Sequence, residues 1–202
     1  MQNVTFYSQA KQDQFVFDLL VKNRGLGYFL DIGAAEPIHL NNTYALEQIG
    51  WTGTLVEKDP YYEDDLRASR TSEVIIGNAL SIDWGAFPRK AYDYLSLDID
   101  ADTPDVLKKL LEAGFTFRCA TIEHDAYRYG DGPRTYIRDL MQMAGYNLLL
   151  GNISVTPGHP FEDWWIAPSL SKIMFNLDPY LSQDTTILPA IPCIPCGKTQ
   201  HK

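Results

Sequence analysis

The chain has 202 residues, with 17 Lys or Arg against 26 Asp or Glu and a formal charge of −9. Hydrophobic residues at 45 % and charged residues at 21 % are ordinary for a folded globular protein and exclude wholesale disorder and collagen-like order. The pI is about 4.8 and no Lys/Arg run exceeds two adjacent residues, so neither nucleic acid nor an anionic membrane surface is an expected partner.

The length suits one domain rather than two. No apolar run reaches the ~18–20 residues of a bilayer span. The N-terminus, MQNVTFYSQAKQDQF, lacks a basic start followed by an apolar core, so no secretory signal is expected. Three cysteines are too few for a disulfide framework and fit a reducing compartment. The expectation is a soluble, cytoplasmic protein.

The elements alternate. Residues 8–23 read as a first helix that Ser8 can cap, with Phe15, Leu19 and Leu20 at helical spacing. Residues 28–32 form a short apolar strand, and Gly33 opens a turn. Asn41 and Asn42 can cap a helix over 43–49, ended by Gly50. Strand 54–57, a helix over 60–69 with Pro60 in its first turn, and strand 74–76 follow. Residues 92–99 read as a fourth strand, 104–114 as a helix, 117–122 as a fifth strand and 134–144 as a further helix. Two last strands, 146–155 and 163–167, flank Pro157-Gly158-His159-Pro160. The pattern predicts one domain over 1–170 and an irregular extension over 171–202. It also predicts an α/β fold with a largely parallel sheet.

In such a sheet, ligands sit beyond the carboxyl ends of the strands. The residues there are Asp31, Gly33, Glu57, Asn78, Asp98, Asp100, Glu123, His124 and Asp125. That set is dense in carboxylates. The turn Asp31-Ile-Gly-Ala-Ala-Glu-Pro37 lacks the full glycine fingerprint of a dinucleotide site, and Glu36 stands where a pyrophosphate would need free N–H groups. No P-loop motif occurs. A cationic, phosphate-free cofactor such as S-adenosylmethionine (SAM) suits these acids; a plain strand turn is the bland alternative. Glu57 can accept hydrogen bonds from ribose hydroxyls or merely cap the next helix. Asp98 interrupts an apolar strand and needs a partner if buried. Adjacent strands lie ~4.8 Å apart, so Asp98 could meet Glu123 and His124. That cluster could hold Mg²⁺ or Mn²⁺, or His124 could act as a general base; solvated loop acids are the alternative. Glu162 or Asp163 could orient a substrate. Cys193-Ile-Pro-Cys196 is a lone pair without further zinc ligands.

The pieces Tyr7-Ser-Gln-Ala-Lys-Gln-Asp13, Gly27-Tyr-Phe-Leu-Asp-Ile-Gly-Ala34, Asn42-Thr-Tyr-Ala-Leu-Glu47, Gly50-Trp-Thr-Gly-Thr-Leu-Val-Glu57, Asp93-Tyr-Leu-Ser-Leu-Asp-Ile-Asp100 and Ile122-Glu-His124 stand in the order of one family. The sequence resembles the FkbM-type methyltransferases, a branch of the class I SAM-dependent methyltransferases, over about residues 7–167. The resemblance implies a single-domain Rossmann-like fold with helices on both faces of a seven-stranded, mostly parallel sheet and an antiparallel last strand. It implies SAM over Asp31, Gly33 and Ala34, with Glu57 on the ribose, Asn78 and Ala79 by the adenine, and Gln9 closing over the cofactor. Thr43, Lys58 and Asp98 complete the expected cofactor set. Departures are Ala35-Glu36-Pro37 in the first turn and Asn78 where many class I enzymes carry an acid.

The expected activity is O-methylation of a sugar, glycan or glycosylated small molecule. Asp98, His124 and Glu123 are the expected catalytic residues and also the expected metal ligands. The alternatives are N-methylation of a small molecule, a binding module that has lost its chemistry, and a nicotinamide-dependent oxidoreductase, which the missing phosphate loop disfavours.

Overall fold

The structure is a computed structural model and describes residues 4–22, 25–172 and 176–187. The predicted strands form as β1 (Tyr28–Ile32), β2 (Thr52–Glu57), β3 (Glu73–Ile76), β4 (Ala91–Leu97), β5 (Thr116–Glu123), β6 (Asn147–Ile153) and β7 (Glu162–Ile166). A two-residue β8 (Thr186–Ile187) adds to them. The sheet order is β3-β2-β1-β4-β5-β7-β6-β8. Strands β1 to β5 pair in parallel, and β7 runs antiparallel between β5 and β6. The chain reverses its direction of winding between β1 and β4, so the carboxyl ends of these two strands bound the crevice of the sheet.

The period of two along each strand sorts side chains between two apolar layers. Phe29, Leu55, Tyr94, Cys119 and Trp164 face one layer. There they meet α1 (Gln12–Val16), α2 (Tyr44–Gln48) and α3 (Glu63–Ser69) through Phe15, Leu46 and Leu66. Leu30, Val56, Leu95, Ala120 and Trp165 face the other. They pack on Val106, Leu107 and Leu110 of α4 (Thr103–Glu112) and on Ile137 and Met141 of α6 (Asp131–Met143). The short α5 (Ala126–Tyr129) lies between β5 and α6.

Two stretches differ from the sequence expectation. Helix α1 starts at Gln12 and continues from Phe17 to Val21 as a wider π turn. Lys11, not Ser8, is its N-cap residue, yet the Ser8 hydroxyl accepts the Asp13 N–H of the first turn at 3.4 Å. The Asp13 carboxylate in turn accepts the Tyr7 N–H at 2.6 Å and the Ser8 hydroxyl at 2.5 Å, folding the preceding residues into a loop with Lys11 at φ 70°. Residue 23, at the end of the expected helix, is outside the described residues. Part of the expected irregular extension is packed: Tyr180 sits edge-on to Phe15 and Trp164, and β8 pairs with β6. The Cys193–Cys196 tail lies outside the described residues. Among the described residues, no helix is long and apolar enough to cross a membrane.

Candidate functional site

The polar residues at the carboxyl ends follow the same parity as the core below them. Asp31 pairs across to Ser96, Ser96 to Thr121, and Glu123 to Glu162. Asp98, one step beyond Ser96 on that parity, belongs to the same face. A row of hydrogen-bonding side chains therefore runs along the edge of the sheet, on the side that carries α1 and α2.

A cavity of about 480 Å³ opens above β1, β2 and β4. Its wall includes Asp31, Gly33, Ala34, Glu57, Lys58, Asn78, Ala79, Asp98 and Gln9, which gathers all of the expected cofactor residues except Thr43. Thr43 stands behind the wall. Its hydroxyl donates to Asp31 Oδ2 at 2.7 Å and accepts from Arg70 Nη2 at 2.9 Å. Asn78 lines the cavity but commits its Oδ1 to the Leu80 N–H at 2.9 Å.

Gly33 is required by two constraints. Its φ is +90°, and a Cβ there would lie 1.8 Å from the Asp98 carbonyl oxygen. The turn thus lets the ends of β1 and β4 touch. Glu57 is held at both oxygens, by the Ala35 N–H at 2.8 Å and the Asp59 N–H at 2.7 Å. Each oxygen keeps a second lone pair for a ligand hydroxyl. Four of the six non-glycine residues with positive φ among the described residues border the site: Ala35, Leu40, Asp100 and Asp125. Such conformations concentrate at functional sites because the surrounding structure must hold them there.

Arg70 is a residue that sequence reasoning missed. Its guanidinium is fully buried and contacts Glu47 at 3.3 Å, Asn41 Oδ1 at 3.1 Å and the Pro37 carbonyl at 3.3 Å, besides Thr43. Asn41 in turn caps α2 by accepting the Thr43 and Tyr44 N–H groups. It also donates to the Ala34 carbonyl at 3.0 Å. One buried arginine therefore fixes the loop over 34–43, the helix cap and the back of Asp31. Burial pushes Asp31 up, opposed by the Thr43 hydroxyl and the Arg70 charge. At Glu47 burial acts the same way, but the Ser72 and Thr71 hydrogen bonds and the Arg70 charge outweigh it and leave the carboxyl below its ordinary value.

A second cavity, of about 270 Å³, lies beside the first. The two share Gln9 and Asp98. Asp98 and Glu123 hydrogen-bond to each other here. Burial, then the Asp98 charge, pushes Glu123 up to about 11, and burial also raises Asp98. Burial and mutual repulsion favour protonation of these two neighbouring carboxyls. Glu123 Oε2 also accepts the Asp100 N–H at 2.8 Å. Glu162, fully buried behind this pair, is pushed up to about 8, first by burial and then by the Asp98 charge. Trp164 Nε1 and Gln12 Nε2 donate to it.

The expected Asp98–Glu123–His124 triad does not assemble. Consecutive strand residues point to opposite faces, and His124 follows Glu123. Its ring is buried on the α6 side, with Nε2 at 3.4 Å from Asp163 Oδ1 and Nδ1 accepting the Ala126 N–H at 3.1 Å. Asp163 is committed there too, through a two-pronged contact with Arg138 at 2.7 and 2.9 Å. Neither His124 nor Asp163 lines either cavity. The acids that do converge are Asp100, Glu123 and Asp125, each offering an oxygen within 4.8 Å of the others.

Solved structures share this arrangement of strands and helices. An O-methyltransferase from Bacillus cereus in complex with S-adenosylhomocysteine (SAH) aligns with a TM-score of 0.57 and 18 % identity, over 82 % of this chain and 84 % of that one. The fold is that of the class I SAM-dependent methyltransferases. A Klebsiella pneumoniae protein assigned as an O-methyltransferase gives a TM-score of 0.57 at 18 % identity, over 82 % of both chains. The SAH-bound methyltransferase PaMTH1 of Podospora anserina gives 0.55 at 13 % identity, over 80 % of both. The likeness is one of architecture. No family model matches the sequence, and no curated protein matches it significantly.

Proposed function

We propose that this chain is a SAM-dependent O-methyltransferase acting on a hydroxyl of a sugar, glycan or glycosylated small molecule, in the manner of the FkbM-type enzymes it resembles. The observation that carries this reading is the meeting of two cavities at Asp98. The larger is chemically suited to the cofactor, and the smaller is open to an acceptor.

The residues present fit SAM. Gly33 keeps the strand turn clear of side chains. Asp31 and Asp98 suit a molecule with two cationic centres, and Glu57 suits ribose hydroxyls. Asn42 supplies a buried Oδ1 on this wall with no hydrogen-bond partner among the described residues, while its Nδ2 donates to Ser96. An acceptor left unpaired in this way costs about 1–3 kcal/mol, which a ligand N–H would relieve.

SAM, when bound, supplies a methyl group already activated on a sulfonium. The chain has two remaining tasks: holding the acceptor oxygen in line and taking its proton. Asp98 does the second. Asp98 is the carboxyl that lines both cavities, so it is placed to accept the proton of an acceptor hydroxyl as the oxygen–methyl bond forms. Glu123 orients it through their hydrogen bond. Asp98→Asn keeps shape and hydrogen bonding but removes the base. Turnover with a competent glycan acceptor, measured at saturating SAM so that any loss of cofactor affinity is set aside, is expected to fall by about 10²–10⁴-fold. Undiminished turnover would sink the assignment.

A second reading places Mg²⁺ or Mn²⁺ in the mechanism as a Lewis acid. It rests on Asp100, Glu123 and Asp125, the oxygen-rich set within mutual reach. Turnover of chelator-treated enzyme, with and without added Mg²⁺, separates the two readings.

A further inference from the structure

The smaller cavity has a chemical character that narrows the acceptor beyond a hydroxyl compound. Its volume of about 270 Å³ is just below the ~300–1,000 Å³ of pockets that take drug-sized ligands, so it suits a single ring-sized group. Three of its lining residues are acids, Asp98, Glu123 and Asp125, and none is Lys or Arg. Arg128, outside this lining, pairs with Asp100 at 2.7 Å, and its charge also reaches Asp125.

Asp125 lines the cavity beside Glu123, to which its carboxyl hydrogen-bonds. It precedes α5 but makes no side-chain capping bond to it. Across from the acids stands Tyr127, 49 % exposed, with its ring edge-on to His159 at a centroid distance of 5.3 Å. The two sides face the same space: the Asp125 charge is the main influence holding the Tyr127 phenol above its ordinary range. A phosphate or carboxylate entering here meets like charge and finds no donor cation. A neutral polyol finds hydrogen-bond acceptors but gains nothing from the charge of the acids. An ammonium pairs with Asp125 and gains from the aromatic ring beside it.

We propose that the acceptor is an amine-bearing polyol, such as an amino sugar, held in the smaller cavity with its ammonium against Asp125 and Tyr127 and a hydroxyl at Asp98. This rests on the methyltransferase reading above. The ammonium is the recognition group, and the hydroxyl is the methylated one.

The test uses the full chain saturated with SAH and three probes of one ring each: glucosamine, glucose and glucose 6-phosphate, titrated by ligand-observed NMR. Saturation by SAH is measured first, so its absence is charged to the methyltransferase reading and not to the acceptor class. With SAH bound, glucosamine is expected to bind at least about tenfold more tightly than glucose, and glucose 6-phosphate more weakly than either. Asp125→Asn should reduce the glucosamine preference to within about threefold while leaving SAH binding intact. Asparagine tolerates the φ of 44° at this position, so the backbone is kept. Equal binding of glucosamine and glucose, no binding of glucosamine, a preference for the phosphate, or a preference that survives in Asp125→Asn each overturns the proposal.

Discussion

Replacing Glu123 with Gln tests whether burial beside Asp98 keeps this carboxyl protonated. In the native state burial and the Asp98 charge push Glu123 up to about 11, against an ordinary value of 4.5. In the unfolded chain it ionises above about 4.5. Between these limits the unfolded state binds fewer protons than the native state, so stability falls as pH rises, by about 1.4 kcal/mol per pH unit. At pH 7 the accumulated loss is on the order of 3 kcal/mol. A glutamine carries no such penalty. Its carbonyl can accept the Asp100 N–H, and its two N–H groups can serve Asp98 and Asp125. Glu123→Gln is therefore expected to stabilise the protein at pH 7 by up to about 3 kcal/mol. For a chain of this size that is a rise in Tm of up to roughly 6–12 °C. The gain should shrink toward zero near pH 4.5. Thermal unfolding of both proteins from pH 4.5 to 8 measures it. A variant less stable than wild type at pH 8, or a difference independent of pH, would mean that Glu123 is ionised in the native state and would refute this reasoning.

Two further substitutions probe the frame around the cofactor cavity. Arg70→Met keeps most of the side-chain volume but leaves Glu47 as a buried charge without its partner. Urea unfolding should show a loss of about 3–5 kcal/mol, where a surface arginine would give a change within about 0.5 kcal/mol. Gly33→Ala brings a methyl group against the Asp98 carbonyl in a left-handed turn. SAH binding, followed by calorimetry, should weaken at least about tenfold, with the far-ultraviolet circular dichroism of the fold retained; unchanged affinity would show that the turn is not part of the cofactor wall.

The sheet was legible because its strands are short apolar runs closed by glycine, aspartate or proline, as in Phe29-Leu-Asp-Ile-Gly33. The carboxylates at the strand ends were legible for the same reason: Asp31, Asp98 and Glu123 are charges at the edge of otherwise buried segments. His124 shows where adjacency in sequence misleads. Proximity of two strand ends says that Asp98 can meet one of Glu123 and His124, and the period of two forbids both on one face. The first helix starts later than its residues suggest because the Asp13 carboxylate takes the Tyr7 and Ser8 N–H groups and folds residues 7–11 into a loop. Arg70 gave no signal at all. It follows a helix rich in charge, where arginines are usually solvated, and only the fold brings Glu47, Thr43 and Asn41 around it. The smaller cavity likewise depends on Tyr127, Val155 and His159 from separate loops, whose meeting no spacing rule reveals.

The central claim is that the larger cavity is a SAM site whose ribose anchor is Glu57. Calorimetric titration of SAH into the wild-type protein and into Glu57→Ala tests it most directly. The account predicts one-to-one binding to the wild type, weakened at least about tenfold in the variant. Folded wild-type protein that takes up no SAH, or a Glu57→Ala variant that binds it equally well, would contradict the account.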